Sequence, residues 1–175
     1  ERILGFFYLK NTVGKHITVM GSARIDQNNA TYKLGVNVGS CIARNGFSAL
    51  TGAGPGMMQA VNEGAFKHNK QSFGVSIKIP FEQAINPYLQ KNFLCQQFCS
   101  RKFLLIQHAH AVVFLPGGYG TFDELFEALT LIKTGRLPPK PMILIGKDFW
   151  APIIKNISNI TTKYQTISQN ELDLI

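Results

Sequence analysis

The chain has 175 residues, 45% of them hydrophobic, and a formal net charge of +8 at pH 7. This length and apolar content are typical of one globular domain with a full core. No apolar run approaches the roughly 20 residues that span a bilayer, so we expect no membrane partner. Residues 3–9 are too short and too poorly flanked for a secretory signal peptide.

The charged, cysteine and histidine residues exclude further classes of protein. The 18 Lys and Arg residues are scattered and match no helix-turn-helix, zinc-finger or RNA-recognition pattern, so we expect an anionic small ligand and no nucleic acid. Three cysteines form an odd set, which favours reduced thiols and a cytoplasmic location. His108 and His110 flank one alanine on a predicted helix and point to different faces, so we expect no metal. Because the chain begins at Glu1, a native start further upstream stays open.

The first predicted strand ends in a turn suited to an anion. Residues 16–24, HITVMGSAR, pass from a β-branched apolar run into Gly21 and Ser22, and a helix is predicted over residues 30–44. In open α/β folds, ligands bind at the carboxyl ends of the strands. Ser22 is placed to donate its hydroxyl to an anion, and Arg24 its guanidinium, although a loop arginine is by default only a solvated charge.

A second glycine turn follows the next predicted strand. Residues 47–68, FSALTGAGPGMMQAVNEGAFKH, predict a strand, a turn and a helix. The GxGxG spacing is not the GxGxxG dinucleotide fingerprint, and it is not a P-loop because no Gly-Lys-Ser/Thr follows. A purely structural interpretation stays open, since a tight strand-to-helix turn needs glycine. The binding candidates here are Gly52, Gly54, Gly56 and Met57.

The middle of the chain predicts a strand over residues 72–79 and a helix over residues 100–110. An irregular stretch through Pro80 and an apolar piece at residues 92–98 separate them. No lysine stands beside the glycine turns as a Schiff-base partner, so we expect neither pyridoxal phosphate nor any other cofactor. Candidate pocket walls are Asn86, Tyr88 and Tyr119.

The third turn carries the strongest signal. Residues 111–115, AVVFL, predict a strand buried on both faces of a parallel sheet, and Pro116 stops it. Thr121 is predicted to cap a helix that begins at Phe122. The free N–H groups and the positive dipole end of that helix are suited to a phosphate. Three glycines let the backbone approach the ligand without a Cβ atom: Gly117, Gly118 and Gly120.

Three acids follow this turn and have two interpretations. Carboxylates in a first helical turn complement the helix dipole, and this structural role is favoured for Asp123. Glu124 and Glu127 lie three residues apart and share a helical face, which differs from that of Asp123. A carboxylate beside a phosphate cradle is electrostatically costly unless it performs chemistry or binds sugar hydroxyls. Glu124 is therefore a functional candidate.

The remainder of the chain completes a regular alternation. The third-turn helix is predicted to stop near residues 134–135, a proline-rich run precedes a strand over residues 142–146, and a last helix covers residues 149–160. Strands alternating with helices predict an α/β fold, with a parallel sheet covered on both faces by helices. We expect a single Rossmann-like domain over residues 1–175.

Several motifs together resemble those of the LONELY GUY (LOG) family of Rossmann-like phosphoribohydrolases. PGGYGTFDE at residues 116–124 resembles the family motif PGGxGTxxE. TGAGPGMMQAVNEGA resembles its second glycine motif, with Ala53 in place of a usual glycine, and GSAR resembles its first-strand turn. Ser100, Arg101 and Lys102 resemble its arginine-lysine helix start. FEQAINPY and ELFEALTLIKTG are similar to the bacterial branch, and the likeness covers most of residues 16–157.

The resemblance implies release of a base from a nucleoside 5′-monophosphate, with Arg101 and Glu124 as the catalytic pair. A carboxylate can stabilise the oxocarbenium-like transition state, hold ribose hydroxyls or activate water. Arg101 stays charged, so it binds and orients the ligand rather than donating a proton. A surface salt bridge is the structural alternative for Arg101. The substrate-binding candidates are Gly21, Ser22, Gly52, Gly54, Gly56, Met57, Lys102, Pro116, Gly117, Gly118, Tyr119, Gly120, Thr121 and Glu127.

We expect one of two functions, and we expect a homodimer. The first function is hydrolysis of AMP or an N6-substituted, cytokinin-type AMP to the base and ribose 5-phosphate. The alternative is a non-catalytic protein that binds a nucleotide or a phosphorylated cofactor such as molybdenum cofactor, for which the catalytic pair is not needed. A homodimer is expected through the helices over residues 100–110 and from Phe122, because their apolar residues exceed one stripe. Burial by the C-terminal segment of the same chain is the alternative.

Overall fold

The computed structural model describes residues 1–68, 71–80 and 84–168, together with Glu171 and Leu174. Within these residues the short β-branched and aromatic runs form strands, and the amphipathic segments between them form helices. The strands are β1 (His16–Met20), β2 (Ser48–Thr51), β3 (Ser72–Ile77), β4 (Lys91–Cys95), β5 (Ala111–Phe114) and β6 (Met142–Leu144). The helices are α1 (Arg2–Tyr8), α2 (Ala30–Arg44), α3 (Met57–Phe66), α4 (Phe98–Ile106), α5 (Tyr119–Lys133) and α6 (Lys147–Lys163), and a π-helical turn (Leu9–Val13) follows α1.

The strands form one parallel sheet in the order β4-β3-β2-β1-β5-β6. In its register, Ile17 of β1 lies opposite Ala49 of β2 on one side and Ala111 of β5 on the other. Strands β2, β3 and β4 are added in turn on one side of β1. The chain then crosses to the other side of β1, where it forms β5 and β6. This change of direction opens a crevice at the carboxyl ends of β1 and β5, which is where such folds bind ligands. The predicted Rossmann-like sheet is confirmed.

Helices cover both faces of the sheet, as predicted. Successive side chains of β1 enter opposite apolar layers, because side chains alternate along a strand. Val19 packs in the layer that contains Met57 of α3, whereas Met20 packs in the layer that contains Leu125 of α5 and Trp150 of α6. Among the described helices, none combines the length and the apolar character that a membrane crossing requires.

The boundaries of α5 correct one prediction. The helix begins at Tyr119 rather than Phe122, so Thr121 is its third residue and not its cap. Gly118 occupies the N-cap position, which no side chain caps. The turn before the helix is therefore three residues shorter than predicted. Thr121 packs onto Gly117, where a Cβ atom would lie 2.1 Å from the Thr121 Oγ1. Asp123 is thus the fifth residue of α5 and lies beyond the first turn.

Other boundaries agree to within a few residues. The helix α2 covers residues 30–44 as predicted, and α6 extends the predicted 149–160 at both ends. The helix predicted over residues 100–110 begins at Phe98 and ends at Ile106. The apolar piece at residues 92–98 divides into most of β4 and the start of α4. Helix ends fray and depend on tertiary contacts, so such shifts are expected.

The helix α1 was not predicted, and it covers part of α4. Gly5 lies against Leu104, where a Cβ atom would stand 2.2 Å from the leucine Cδ1. The Tyr8 hydroxyl donates to the carbonyl of Lys91 at 3.0 Å, and the Arg2 guanidinium lies 5.0 Å from the centre of the Phe103 ring. Leu104 is fully buried within the chain. The cover of this part of α4 is therefore neither a second copy nor the C-terminal segment.

Candidate active site

Backbone hydrogen bonds join the turns after β1, β2 and β5 at one edge of the sheet. The Ser22 N–H donates to the Pro116 carbonyl at 3.1 Å, and the Met57 N–H donates to the Ser22 carbonyl at 2.8 Å. Gly56 has a φ of +68° and lies so close to this strand end that a Cβ atom would stand 2.4 Å from the Ser22 carbonyl oxygen. The three predicted turns therefore converge, as parallel strands require.

A cleft of about 580 Å³ opens between these turns. Nine of the predicted site residues line it: Gly21, Ser22, Gly52, Arg101, Gly118, Tyr119, Gly120, Thr121 and Glu124. Gly54 lines a neighbouring cleft of about 230 Å³, which shares Gly52, Ile77 and Ile79 with the first. The remaining candidates are absent from the lining of the larger cleft: Gly56, Met57, Lys102, Pro116, Gly117 and Glu127.

Glycines of the third turn have different roles. A Cβ atom on Gly118 or Gly120 would meet no protein atom within 4 Å, so these positions leave open space on the cleft side. Gly117 instead receives Thr121 and is required by packing. The first N–H groups of α5 lie beside Gly118, and they have no partner inside the helix. This end of the cleft is suited to an anion.

Arg101 is fixed by three neighbours and is not a surface charge. Its Nε donates to the Val75 carbonyl of β3 at 3.0 Å, and its Nη1 lies 3.5 Å from the Glu124 Oε1. Its Nη2 lies over Gly52, where a Cβ atom would stand only 1.9 Å away. The Arg101 side chain is 12% exposed. Arg101 therefore lines the cleft as a largely buried group and does not form a surface salt bridge.

Glu124 is a buried carboxyl group at the cleft wall. Burial raises its pKa to about 7, and the Arg101 guanidinium opposes this shift by favouring the charged form. A carboxyl group with a pKa near neutral is suited to proton transfer or to stabilising a cation at physiological pH. The predicted pair of Arg101 and Glu124 is brought together across 23 residues of sequence.

Lys102 and Glu127 occupy a different place from the catalytic pair. The Lys102 Nζ lies 2.6 Å from the Glu127 Oε2 and 3.1 Å from the Asp123 Oδ2. These ion pairs connect α4 to α5 without lining the cleft. Asp123 therefore has an ion-pair partner on α4, which corrects the interpretation that it complements the dipole of the first helical turn.

The three residues predicted as pocket walls lie in different places. Tyr119 is 97% exposed at the cleft rim, whereas Asn86 is 4% exposed and hydrogen-bonds beneath the second turn. Tyr88 packs its ring against Phe66 and lines neither of the two clefts. Sequence reasoning missed the apolar part of the lining, which is contributed by Met58, Ile77, Ile79 and Phe98.

The structure combines a Rossmann-like parallel sheet, a glycine-lined cleft and a buried Arg–Glu pair. The family model described as "Possible lysine decarboxylase" matches residues 58–175, about two-thirds of the chain. The chain therefore belongs to this LOG and lysine decarboxylase-like family, as the motifs indicated.

Named relatives are distant. The chain is 28% identical over 152 residues to a cytokinin riboside 5′-monophosphate phosphoribohydrolase of Rhodococcoides fascians, covering 83% of this chain and 75% of the relative. It is 30% identical over 126 residues to the rice enzyme of that name (Oryza sativa subsp. japonica), covering 70% of this chain but about half, 51%, of the relative. The fold resembles the molybdenum cofactor binding protein of Rippkaea orientalis, with a TM-score of 0.61, 22% identity, and coverage of 83% and 85%.

Proposed function

We propose that this protein is a nucleoside 5′-monophosphate phosphoribohydrolase. Its substrate is AMP or an N6-substituted, cytokinin-type AMP, and its products are the free base and ribose 5-phosphate. The buried Glu124 carboxyl group, 3.5 Å from the Arg101 guanidinium in a glycine-lined cleft, carries this proposal. Residues 1–175 act in it as one Rossmann-like domain.

The phosphate is proposed to bind at the N terminus of α5. Gly118 and Gly120 leave the approach open there, and the helix dipole favours negative charge. Thr121, which is buried in the first turn, lines the same end of the cleft. With the phosphate held at this point, the ribose lies toward Glu124, which lines the same cleft.

The reaction breaks the bond between the ribose C1′ and the base nitrogen, and water supplies a hydroxyl to C1′ and a proton to the base. Positive charge develops on the sugar in the transition state. Glu124, in its ionised form, either stabilises that charge, holds the ribose hydroxyls or activates the water. Arg101 remains charged throughout and orients the substrate.

The apolar lining of the neighbouring cleft supports the proposal that the substrate is an N6-substituted AMP as an alternative to AMP itself. This cleft continues from the main cleft at Gly52, and its walls are largely apolar: Ile77, Ile79, Ala84, Ile85 and Leu94. An apolar substituent on the base gains free energy when it leaves water for such a surface.

The 5′-phosphate is expected to be required for turnover, and not only for affinity. Remote binding energy at α5 fixes the ribose against Glu124, so adenosine is expected to show a much lower kcat than AMP. Chromatographic detection of adenine and of the N6-substituted base, with purified protein and a panel of nucleoside monophosphates, measures this. Equal kcat/KM for adenosine and AMP would contradict it. Tight AMP binding with no base release would instead favour the non-catalytic binding function.

A homodimer is also proposed. Because α1 covers Leu104, the contact is expected along α5, where Phe126 is 42% exposed. Light scattering at micromolar concentration should give twice the chain mass of 19.4 kDa. Phe126→Lys should give the monomer mass, whereas Ile160→Lys, at an exposed apolar position of α6, should leave the dimer intact. A wild-type mass of 19.4 kDa would contradict the dimer.

A further inference from the structure

The turn after β2 contains an alanine in a strained backbone conformation. Ala53 has a φ of +65°, in the left-handed region that residues with a Cβ atom rarely adopt. Such a conformation persists when the surrounding structure enforces it. Ala53 is also almost fully buried, at 1% exposure, so its conformation is set by contacts with the protein and not by water.

Hydrogen bonds hold this turn from both sides. The Ala53 N–H donates to the Thr51 Oγ1 at 3.0 Å, and the Ala53 carbonyl accepts from the Asn86 N–H at 2.9 Å. The Asn86 side-chain Nδ2 donates to the Gly54 carbonyl at 3.1 Å. Asn86 therefore binds two successive carbonyl groups of the turn.

Asn62 connects these contacts into a buried network. Its Oδ1 accepts from the Thr51 Oγ1 at 2.6 Å and from the Asn86 Nδ2 at 3.0 Å. Its Nδ2 donates to the Ser72 Oγ at 2.8 Å and to the Phe73 carbonyl at 3.2 Å. All four hydrogen-bonding positions of the amide are thus used, and Asn62 is fully buried. A satisfied buried network of this kind is rigid.

The same turn forms the surface under the catalytic arginine. Gly52 directly precedes Ala53, and the Arg101 Nη2 lies over it. Ala53 packs against Gly74 of β3, and the next residue of that strand, Val75, accepts the Arg101 Nε hydrogen bond. A shift of the turn therefore moves the surface on which the guanidinium lies.

We propose that Asn86, held by Asn62, is a positioning residue for the reaction: it keeps the Ala53 turn in its strained form and so places Arg101 opposite Glu124. This inference rests on the proposed function. If Asn86 acts in this way, replacing Ala53 with glycine should make the Asn86 hydrogen bonds less important, because glycine adopts a positive φ without the Cβ penalty.

The experiment compares four variants with the wild-type protein. Asn86→Ala removes the side-chain donor and is expected to lower kcat for AMP about 10-fold or more, since small displacements of catalytic groups are costly. Ala53→Gly in the Asn86→Ala background should recover most of that loss, and Ala53→Gly alone gives the kcat against which the recovery is judged. Ser48→Ala, which removes a buried hydrogen bond to the Val13 carbonyl at the opposite end of β2, is the matched control. It should lower Tm and leave kcat unchanged.

A second readout separates this inference from the proposed activity. The protection of the residue 53 backbone N–H against exchange, measured by ¹H–¹⁵N NMR relative to the intrinsic rate of the residue present, should fall in Asn86→Ala, return when Ala53→Gly is added, and stay unchanged in Ser48→Ala. Wild-type kcat in Asn86→Ala, equal losses in Asn86→Ala and Ser48→Ala, or no recovery with Ala53→Gly would overturn the positioning role. Absence of base release by the wild type would refute the proposed function, and the exchange rates would still decide whether Asn86 holds the turn.

Discussion

Glu124→Gln is expected to lower kcat for AMP roughly 10²-fold or more, which corresponds to about 2.7 kcal/mol of activation free energy. The substitution keeps the size of the side chain and removes the negative charge that stabilises the sugar cation or activates water. Steady-state release of adenine measures the loss. Asp123→Asn is the matched control, since this neighbouring acid is 59% exposed and is paired with Lys102 outside the cleft. Near-normal turnover of Glu124→Gln would transfer the catalytic role to another group.

The same variant should change how stability depends on pH. Burial raises the Glu124 pKa from 4.5 to about 7, so the folded protein holds a proton that the unfolded chain has released in this interval. Wild-type stability is therefore lost as pH rises from about 4.5 through 7. Glutamine does not titrate, so the Tm of Glu124→Gln should improve relative to the wild type between pH 5 and pH 8. Parallel Tm curves would show that Glu124 is not a buried titrating group.

Gly52→Ala is expected to reduce kcat about 10²-fold while the protein stays folded. The new Cβ atom would stand 1.9 Å from the Arg101 Nη2 and 2.8 Å from the Met58 Sδ, and both are atoms of flexible side chains. The arginine therefore moves and the backbone does not. Enzyme kinetics and a thermal melt measure the two effects. We expect a lower Tm in a protein that still folds, because the displaced guanidinium leaves the Val75 carbonyl and the Glu124 carboxyl group without their buried partner.

A double-mutant cycle shows whether Gly52→Ala acts through Arg101. Arg101→Lys is expected to be damaging by itself, because an ammonium group cannot bind the Val75 carbonyl and face Glu124 as a planar guanidinium does. If both substitutions remove the same placed guanidinium, the double variant loses little more than Arg101→Lys alone. Losses that multiply would mean that Gly52 acts in another way, for example by direct contact with the ligand.

Local pattern was sufficient to predict the frame of the molecule. The apolar run of β5, the proline that ends it and the glycines that follow are adjacent in sequence, and their conformational preferences act within a few residues. The helix α2 was predicted with its observed bounds for the same reason. Alternation of strands and helices predicted the parallel sheet, and the rule that ligands bind at carboxyl strand ends predicted the edge that carries the cleft.

Residue roles within the site depended on more than pattern. Glu124 was a candidate from its place beside the third turn, and the family resemblance added Arg101. The structure supplies their partners: the Val75 carbonyl, Gly52 and each other. Lys102 was named from the arginine-lysine motif and Glu127 from the helical face that it shares with Glu124, yet these two residues pair with one another and do not line the cleft. Adjacent residues on a helix point in different directions, so a motif that includes both does not determine which one faces the ligand.

Contacts between distant segments were decided by the tertiary structure alone. The helix α1 covers Leu104 about a hundred residues away, and Asn86 lies beneath the turn at Ala53 rather than on a pocket wall. The sequence by itself determined every described strand except β4, the glycine turns and the edge of the sheet where they meet, because short-range backbone preferences and hydrophobic periodicity specify those features. The burial of Glu124, its raised pKa and the hydrogen bonds around Ala53 exist only after folding, since each depends on which groups exclude water and supply partners from elsewhere in the chain.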